Sequence, residues 1–236
     1  MDERYAVVSC HVERLLDDRI WKRFSRLQTR HRIAALIRPP AEDEDADVWL
    51  ERAREAAARG PLGHHTHWGG PSQARPIGGD PAARVRREGA WLRERGLAPS
   101  VFCGGGWYLD ATVAAAVADL GYADCTATAF VPAYLEADAP RLGAEEPCRL
   151  PLQGGRELLE LPTTHSLGML ARALGGRLPR YVHVYFHDTD LLDRVRATAL
   201  ETCLRVLTLR SEMGDLEALA RRAREQDLPL NRALAR

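Results

Sequence analysis

Six of the eight histidines in this chain stand at or near the ends of short apolar runs. His64, His65 and His67 fall within four residues in LGHHTHWGG, Leu62 to Gly70. His183 and His187 lie in YVHVYFHDTD, and His11 ends a run that begins at Tyr5. Imidazoles and carboxylates that meet in one cleft make the donor set of a zinc or similar divalent site. The same strand ends would deliver Glu13, Cys103, Asp124, His165, Asp188 and Asp190. Alternate residues of a strand share a face, so His65 and His67 point together while His64 points away, and His11 and Glu13 share a face. Glu13, His65 and, as a third member, His67 make one ligand set. It leaves an open position for a water whose pKa a metal would lower toward about 7. A strand-end histidine alone is more often a hydrogen-bonded packing residue. The joint arrangement with Glu13 and His187 is what favours chemistry.

Those side chains must be positioned by strands, and short aliphatic runs recur along the chain. They cover Tyr5–Cys10, Ile33–Ile37, Leu62–Thr66, Ser100–Cys103, Gly121–Cys125, Leu158–Pro162, Val182–His187 and Arg205–Leu209. Most are continuous rather than alternating, as buried parallel strands are. Helical patterns lie between them at Asp47–Arg59, Pro81–Arg95, Asp110–Leu120, Asp188–Arg205 and Asp215–Glu225. Asp80 and Pro81 supply an N-cap and a first-turn proline, and Gly96 supplies a stop. About seven alternating units point to an α/β barrel, with an open doubly wound sheet as the alternative. Residues at the C-terminal strand ends of such a barrel converge on one mouth. No GxGxxG or P-loop pattern follows a strand, and Gly104 to Gly106 is a bare glycine run. Pro132–Arg156 reads as a long excursion of the kind that carries function or covers a site. The acidic run Ala41–Asp47 reads as a solvated turn whose last acids favour the next helix N-terminus.

A chain of 236 residues with 45% hydrophobic content suits one domain, residues 1–236. Such a domain buries roughly 70% of its unfolded surface. With 33 basic and 33 acidic residues and no basic stripe, nucleic acid and anionic membranes are not expected partners. The first residues resemble no secretory signal, and no apolar run nears the roughly 20 residues of a membrane span, so a cytoplasmic location is expected. The five cysteines, Cys10, Cys103, Cys125, Cys148 and Cys203, are odd in number and include no CxxC pair. Buried free thiols are the expectation.

Other residues near the mouth admit two readings. Trp68, Trp107 and Tyr108 either stack on a bound ring or pack the rim. Cys10 and Cys103 are core thiols, or else thiolate ligands or a nucleophile beside His11. His165 reads substrate or caps the following helix. Asp188 and Asp190 orient His187 or cap the helix behind it, with capping favoured for Asp190.

From Tyr5 to about Ala223 the order of these motifs resembles the polysaccharide deacetylases of carbohydrate esterase family 4, also called NodB-like. The resemblance is carried by His65-Thr66 against the family's H-[S/T]-x-x-H, by VYFHDTDLLD against its late strand-histidine motif, and by CLRVLTLRSEMGDL against its last strand and helix start. It implies a distorted (β/α)7 barrel that uses a divalent metal, zinc foremost with cobalt or nickel as alternatives, to remove acetyl groups from sugars. The reaction implied is hydrolysis of a non-peptide amide, and the partner a small acetylated sugar or glycan precursor. By the same resemblance His65 is the first metal histidine, Glu13 the metal carboxylate, and His187 the acid that protonates the leaving amine. His11 stands in the place of the usual aspartate base, where an ordinary pKa of about 6.5 suits neutral pH. Two positions depart from the family pattern. Gly69 occupies the second metal histidine's place, so His67 or His64 must substitute, and Cys103 occupies the place of the arginine that orients the base. Losing the arginine together with its aspartate is physically consistent, because an unpaired buried cation costs several kcal/mol.

Overall fold

The apolar runs form strands whose every residue is buried: β1 (Tyr5–Val12), β2 (Ala34–Ile37), β3 (Leu62–Thr66) and β4 (Val101–Gly104). Strands covered by helices outside and by each other inside have no solvated face to carry polar alternation. They continue as β5 (Ala123–Asp124), β6 (Cys148–Pro151), β7 (Glu157–Glu160), β8 (His165–Ser166), β9 (Tyr181–His187) and β10 (Glu212–Met213). The computed structural model describes residues 4–68, 75–126 and 142–234. Its helices are α1 (Asp18–His31), α2 (Ala46–Arg59), α3 (Pro81–Glu94), α4 (Ala111–Asp119), α5 (Leu167–Ala173), α6 (Arg194–Arg210) and α7 (Leu216–Arg224).

β1 pairs in parallel with β2 on one side and β9 on the other, and β3, β4, β5 and β7 continue in parallel from β2. The stretch 157–166 acts as one interrupted strand. Leu161 N–H donates to Asp124 O (2.7 Å), and three residues on Thr164 N–H donates to His183 O (2.9 Å), before β8 pairs with β9. Seven parallel positions thus curl into a distorted barrel. β6 adds antiparallel to β7, and β10 adds to the first residues of β1. Tyr5, Val7, Leu36, Val101, Cys103, Cys125, Leu161 and Tyr181 fill the barrel together with Leu216 and Leu219 of α7, which plugs its lower end. The alternate residues Val8, Cys10, Val12 and Ile37 face the surrounding helices.

Several expectations are met at the helix ends. Asp80 accepts from Ala83 N–H, Gly96 turns at φ +74, and Asp45 accepts from the Asp47 and Val48 amides. α1 was not expected, and α5 was expected only as the helix after His165. α1 is rich in Arg and hides its apolar stripe in the spacing Ile20, Phe24, Leu27, capped by Asp17. α5 is a short helix capped by Ser166. The strand expected at Arg205–Leu209 is corrected, since those residues lie inside α6. Leu200, Cys203, Leu204 and Leu207 are its buried residues, a helical spacing that outweighs the local β-branched content. Asp190 is likewise corrected. It sits in a 3-10 turn before α6 and accepts from His187 N–H (3.1 Å), while Asp193 caps the helix through the Val195 and Arg196 amides. Of the excursion at 132–156, residues 132–141 lie outside the described residues, and the remainder carries β6. All five cysteines are free and buried. No helix among the described residues is long and apolar enough to cross a membrane.

Candidate metal centre at the barrel mouth

β1, β3 and β9 carry their histidines to the same end of the barrel. His11 stands opposite His187 in the β1–β9 register, and His65 opposite Cys103 in the β3–β4 register. Strand parity holds: the rings of His65 and His67 meet at 5.0 Å, whereas His64 turns outward against Phe102. Behind β3, Glu88 accepts from Thr66 Oγ1 (2.9 Å) and lies 3.0 Å from His64 Nε2. Burial pushes the Glu88 carboxyl up, but the contacts with His64 and Arg84 outweigh it and hold the group below the ordinary carboxylate range. His64 therefore belongs to the wall.

Glu13, His65 and His67 bring their ligand atoms within 4.8 Å of one another. Glu13 Oε1 lies 3.7 Å from His67 Nε2 and 3.6 Å from His187 Nε2. The second shell decides which nitrogen is available. His65 Nδ1 donates to Cys103 O at 2.8 Å, which leaves Nε2 unprotonated and free to ligate. Burial pushes His65 down to about 3, reinforced by His67, and holds His67 and His11 below their ordinary value as well. Neutral imidazoles are the state a divalent ion requires of its ligands. The donor chemistry of this set fits such an ion.

His11 lies one layer deeper, 5% exposed. Its ring centroid is 4.5 Å from His65, 5.2 Å from His187, 5.0 Å from Tyr185 and 5.6 Å from Trp107. Trp107 reaches it through the glycine run, which has a structural purpose after all. A Cβ on Gly104 would lie 2.2 Å from Tyr108 O, and Gly106 (φ +60) and Trp107 (φ +56) occupy the left-handed region. A bulky residue held there stores about 1–3 kcal/mol of strain, a cost concentrated at functional sites.

The remaining expected residues are spread around this centre. Trp68 is 8% exposed, donates from Nε1 to Gly105 O (2.7 Å) and meets Tyr108, whose hydroxyl donates to Asp110 (2.7 Å). His165 is half-buried, with Nδ1 2.8 Å from Thr164 Oγ1, and the cap of α5 is Ser166. Asp188 is fully buried and accepts from Arg14 N–H at 2.7 Å, so it supports the loop that carries Glu13. Burial pushes its carboxyl up to about 6, against the lowering effect of the Arg14 amide. Gly69 lies outside the described residues. Tyr185, which no motif in the local sequence singled out, packs between Trp107 (4.9 Å) and His187 (5.6 Å). Its alternation with His183 and His187 along β9 was the available signal. Arg38 was not singled out either; it is paired through both guanidinium nitrogens with Glu44 and touches Glu13 O.

No family model matches the sequence, and no curated protein does. Solved structures do. A Mycobacterium smegmatis protein assigned to the polysaccharide deacetylases superposes with a TM-score of 0.67 at 14% identity, covering 98% of this chain and 94% of that one. A 4-alpha-glucanotransferase from Thermococcus litoralis gives 0.58 at 11% identity over 97% of this chain and 40% of that one. A carbohydrate esterase family 4 pseudoenzyme from Bacillus anthracis gives 0.56 at 9% identity over 92% and 66%. A shared barrel does not fix a reaction, and the glucanotransferase shows the range it hosts. The chain thus has the distorted (β/α)7 barrel fold of the polysaccharide deacetylases.

Proposed function

We propose that this chain is a metal-dependent hydrolase that removes an acetyl or similar acyl group from the amide of a sugar or sugar-linked metabolite. The observation that carries this reading is the convergence of Glu13, His65 and His67 within 4.8 Å, with His187 3.6 Å from Glu13. These three residues would hold a divalent ion, zinc first and cobalt or nickel as alternatives. Such an ion supplies Lewis-acid polarisation of a carbonyl and a nucleophile at neutral pH.

The chain's own groups do the rest. The Cys103 carbonyl fixes the His65 tautomer. Glu13 Oε1 stands between the two rings, 3.7 Å from His67 Nε2 and 3.6 Å from His187 Nε2, so the three side chains share the mouth. His187, with its side chain 38% exposed at the rim, donates a proton to the leaving amine. His11 occupies the base position, but burial holds its pKa well below the ordinary 6.5, so it can accept a hydrogen bond there as a neutral ring and does not keep a proton, which corrects the expectation of a base suited to neutral pH. Trp107, beside Tyr185, offers an aromatic wall to a sugar ring, with Trp68, Tyr108 and His165 at the periphery.

A second reading is a barrel that binds a glycan without turnover. Cys103 in the place of the family's arginine favours it, as does the pseudoenzyme among the structural neighbours. Acetate release from small N-acetyl sugars separates the two. The hydrolase reading expects release with zinc, cobalt or nickel, abolished by His187→Ala with the circular dichroism spectrum unchanged. Protein that binds one equivalent of each ion yet releases no acetate leaves only the binding barrel.

A further inference from the structure

Beneath the outer donor set lies a second one that shares only His65 with it. His11, His65 and Cys103 also bring their ligand atoms within 4.8 Å of one another. Cys103 Sγ lies 3.6 Å from His11 Nε2, and the three residues are 5%, 2% and 0% exposed. We propose that His11, His65 and Cys103 form an inner, sulfur-containing position for a thiophilic divalent ion such as zinc or cadmium, in competition with the outer position for His65.

Three observations support this. The first concerns ligand capacity. His65 spends Nδ1 on the Cys103 carbonyl, so it has one nitrogen to offer and serves one ion at a time. The second is softness: a thiolate with two imidazoles selects zinc-like and softer ions, whereas a carboxylate with two imidazoles suits a wider range of borderline ions. The third is access. His11 is packed under Tyr185 and Trp107, and Cys103 sits in the barrel core, so an ion held there has no open face for a substrate. Loading the inner position breaks the Cys103 S–H bond as the metal–sulfur bond forms, and the proton leaves to solvent. It also withdraws both His11 and His65 from the mouth. If the hydrolase reading holds, inner occupancy is therefore inhibitory. The inner position itself rests on donor geometry alone and needs no turnover.

Zinc-edge X-ray absorption of the wild-type protein loaded with one equivalent of zinc tests it directly. A sulfur scatterer at about 2.3 Å is expected, and a shell of nitrogen and oxygen alone, near 2.0–2.1 Å, overturns the proposal. Cobalt gives an independent readout. A near-ultraviolet thiolate-to-cobalt charge-transfer band should appear in the wild type and in Glu13→Gln, and vanish in Cys103→Ser. The same Cys103→Ser change should weaken zinc binding at least about tenfold, since even second-shell losses cost 10–100-fold. Absence of the band in wild type, or its survival in Cys103→Ser, overturns the proposal, and the absorption experiment decides if that variant fails to fold. A sulfur shell in wild type, with no acetate release from zinc-loaded Cys103→Ser either, would sink the hydrolase reading alone. Acetate release with a sulfur-free shell would sink only the inner position.

Discussion

His183 offers a quantitative check on how strongly this barrel excludes charge beneath its mouth. The ring is fully buried, with Nε2 2.9 Å from Ser9 Oγ and Nδ1 3.3 Å from Leu161 O and 3.4 Å from Thr163 Oγ1. Burial pushes its pKa down from 6.5 to about 4 despite the backbone contact with Leu161, which raises it. A group harder to protonate in the folded state contributes stability above pH 6.5 and loses it as the pH falls toward 4. Between about pH 7 and about pH 5 this single ring should therefore remove about 2 kcal/mol, at 1.36 kcal/mol per unit. His183→Gln keeps a donor and an acceptor for Ser9 and Thr163 but does not titrate. Urea unfolding of metal-free protein at both pH values, for both proteins, gives the difference of the two pH slopes. Other titrating groups, His11 and His65 in the same direction and Asp188 in the opposite one, cancel in that difference. The wild type should lose about 2 kcal/mol more than the variant. A difference below about 0.5 kcal/mol, the usual error of additivity, would show that water or local relaxation solvates this ring.

Asp188 should behave with the reverse sign. Its carboxyl is raised from 3.8 to about 6, so its contribution is present below pH 4 and lost as the pH rises through 6. Asp188→Asn retains an acceptor for the Arg14 amide and should unfold at higher urea than wild type at about pH 8, by up to about 3 kcal/mol; a variant less stable there refutes the assignment. Gly104→Ala would drive a Cβ to within 2.2 Å of Tyr108 O, a backbone atom that cannot rotate away. Overpacking of this kind costs about 1–3 kcal/mol, which should lower Tm by at least about 3 °C in a domain of this size; an unchanged melt means that the turn to Trp107 yields.

Much of this was legible in local sequence because the relevant physics is local. Alternation along a strand put His65 and His67 on one face and His64 on the other, and the structure shows His64 bound to Glu88 behind β3. Capping is equally local, and Asp45 and Asp80 cap as their positions suggested. Local reading failed where two local signals competed. Arg205–Leu209 has strand-like content, but a face of Leu200, Cys203, Leu204 and Leu207 can be buried only by a helix. In α1 the charge content masked three well-spaced apolar residues.

Sequence alone determined which residue types reach the mouth and which share a face, since both follow from backbone periodicity within one strand. The chemistry of the site was decided by pairings across strands. Register between β3 and β4 set the Cys103 carbonyl on His65 Nδ1 and thereby chose the nitrogen left to bind. Barrel closure placed Cys103 beside His11, which is 92 positions away in the chain. The β1–β9 pairing brought Asp188 to the Arg14 amide and His187 to Glu13. Register is selected by burial of whole faces at once, and no single stretch of sequence contains that sum.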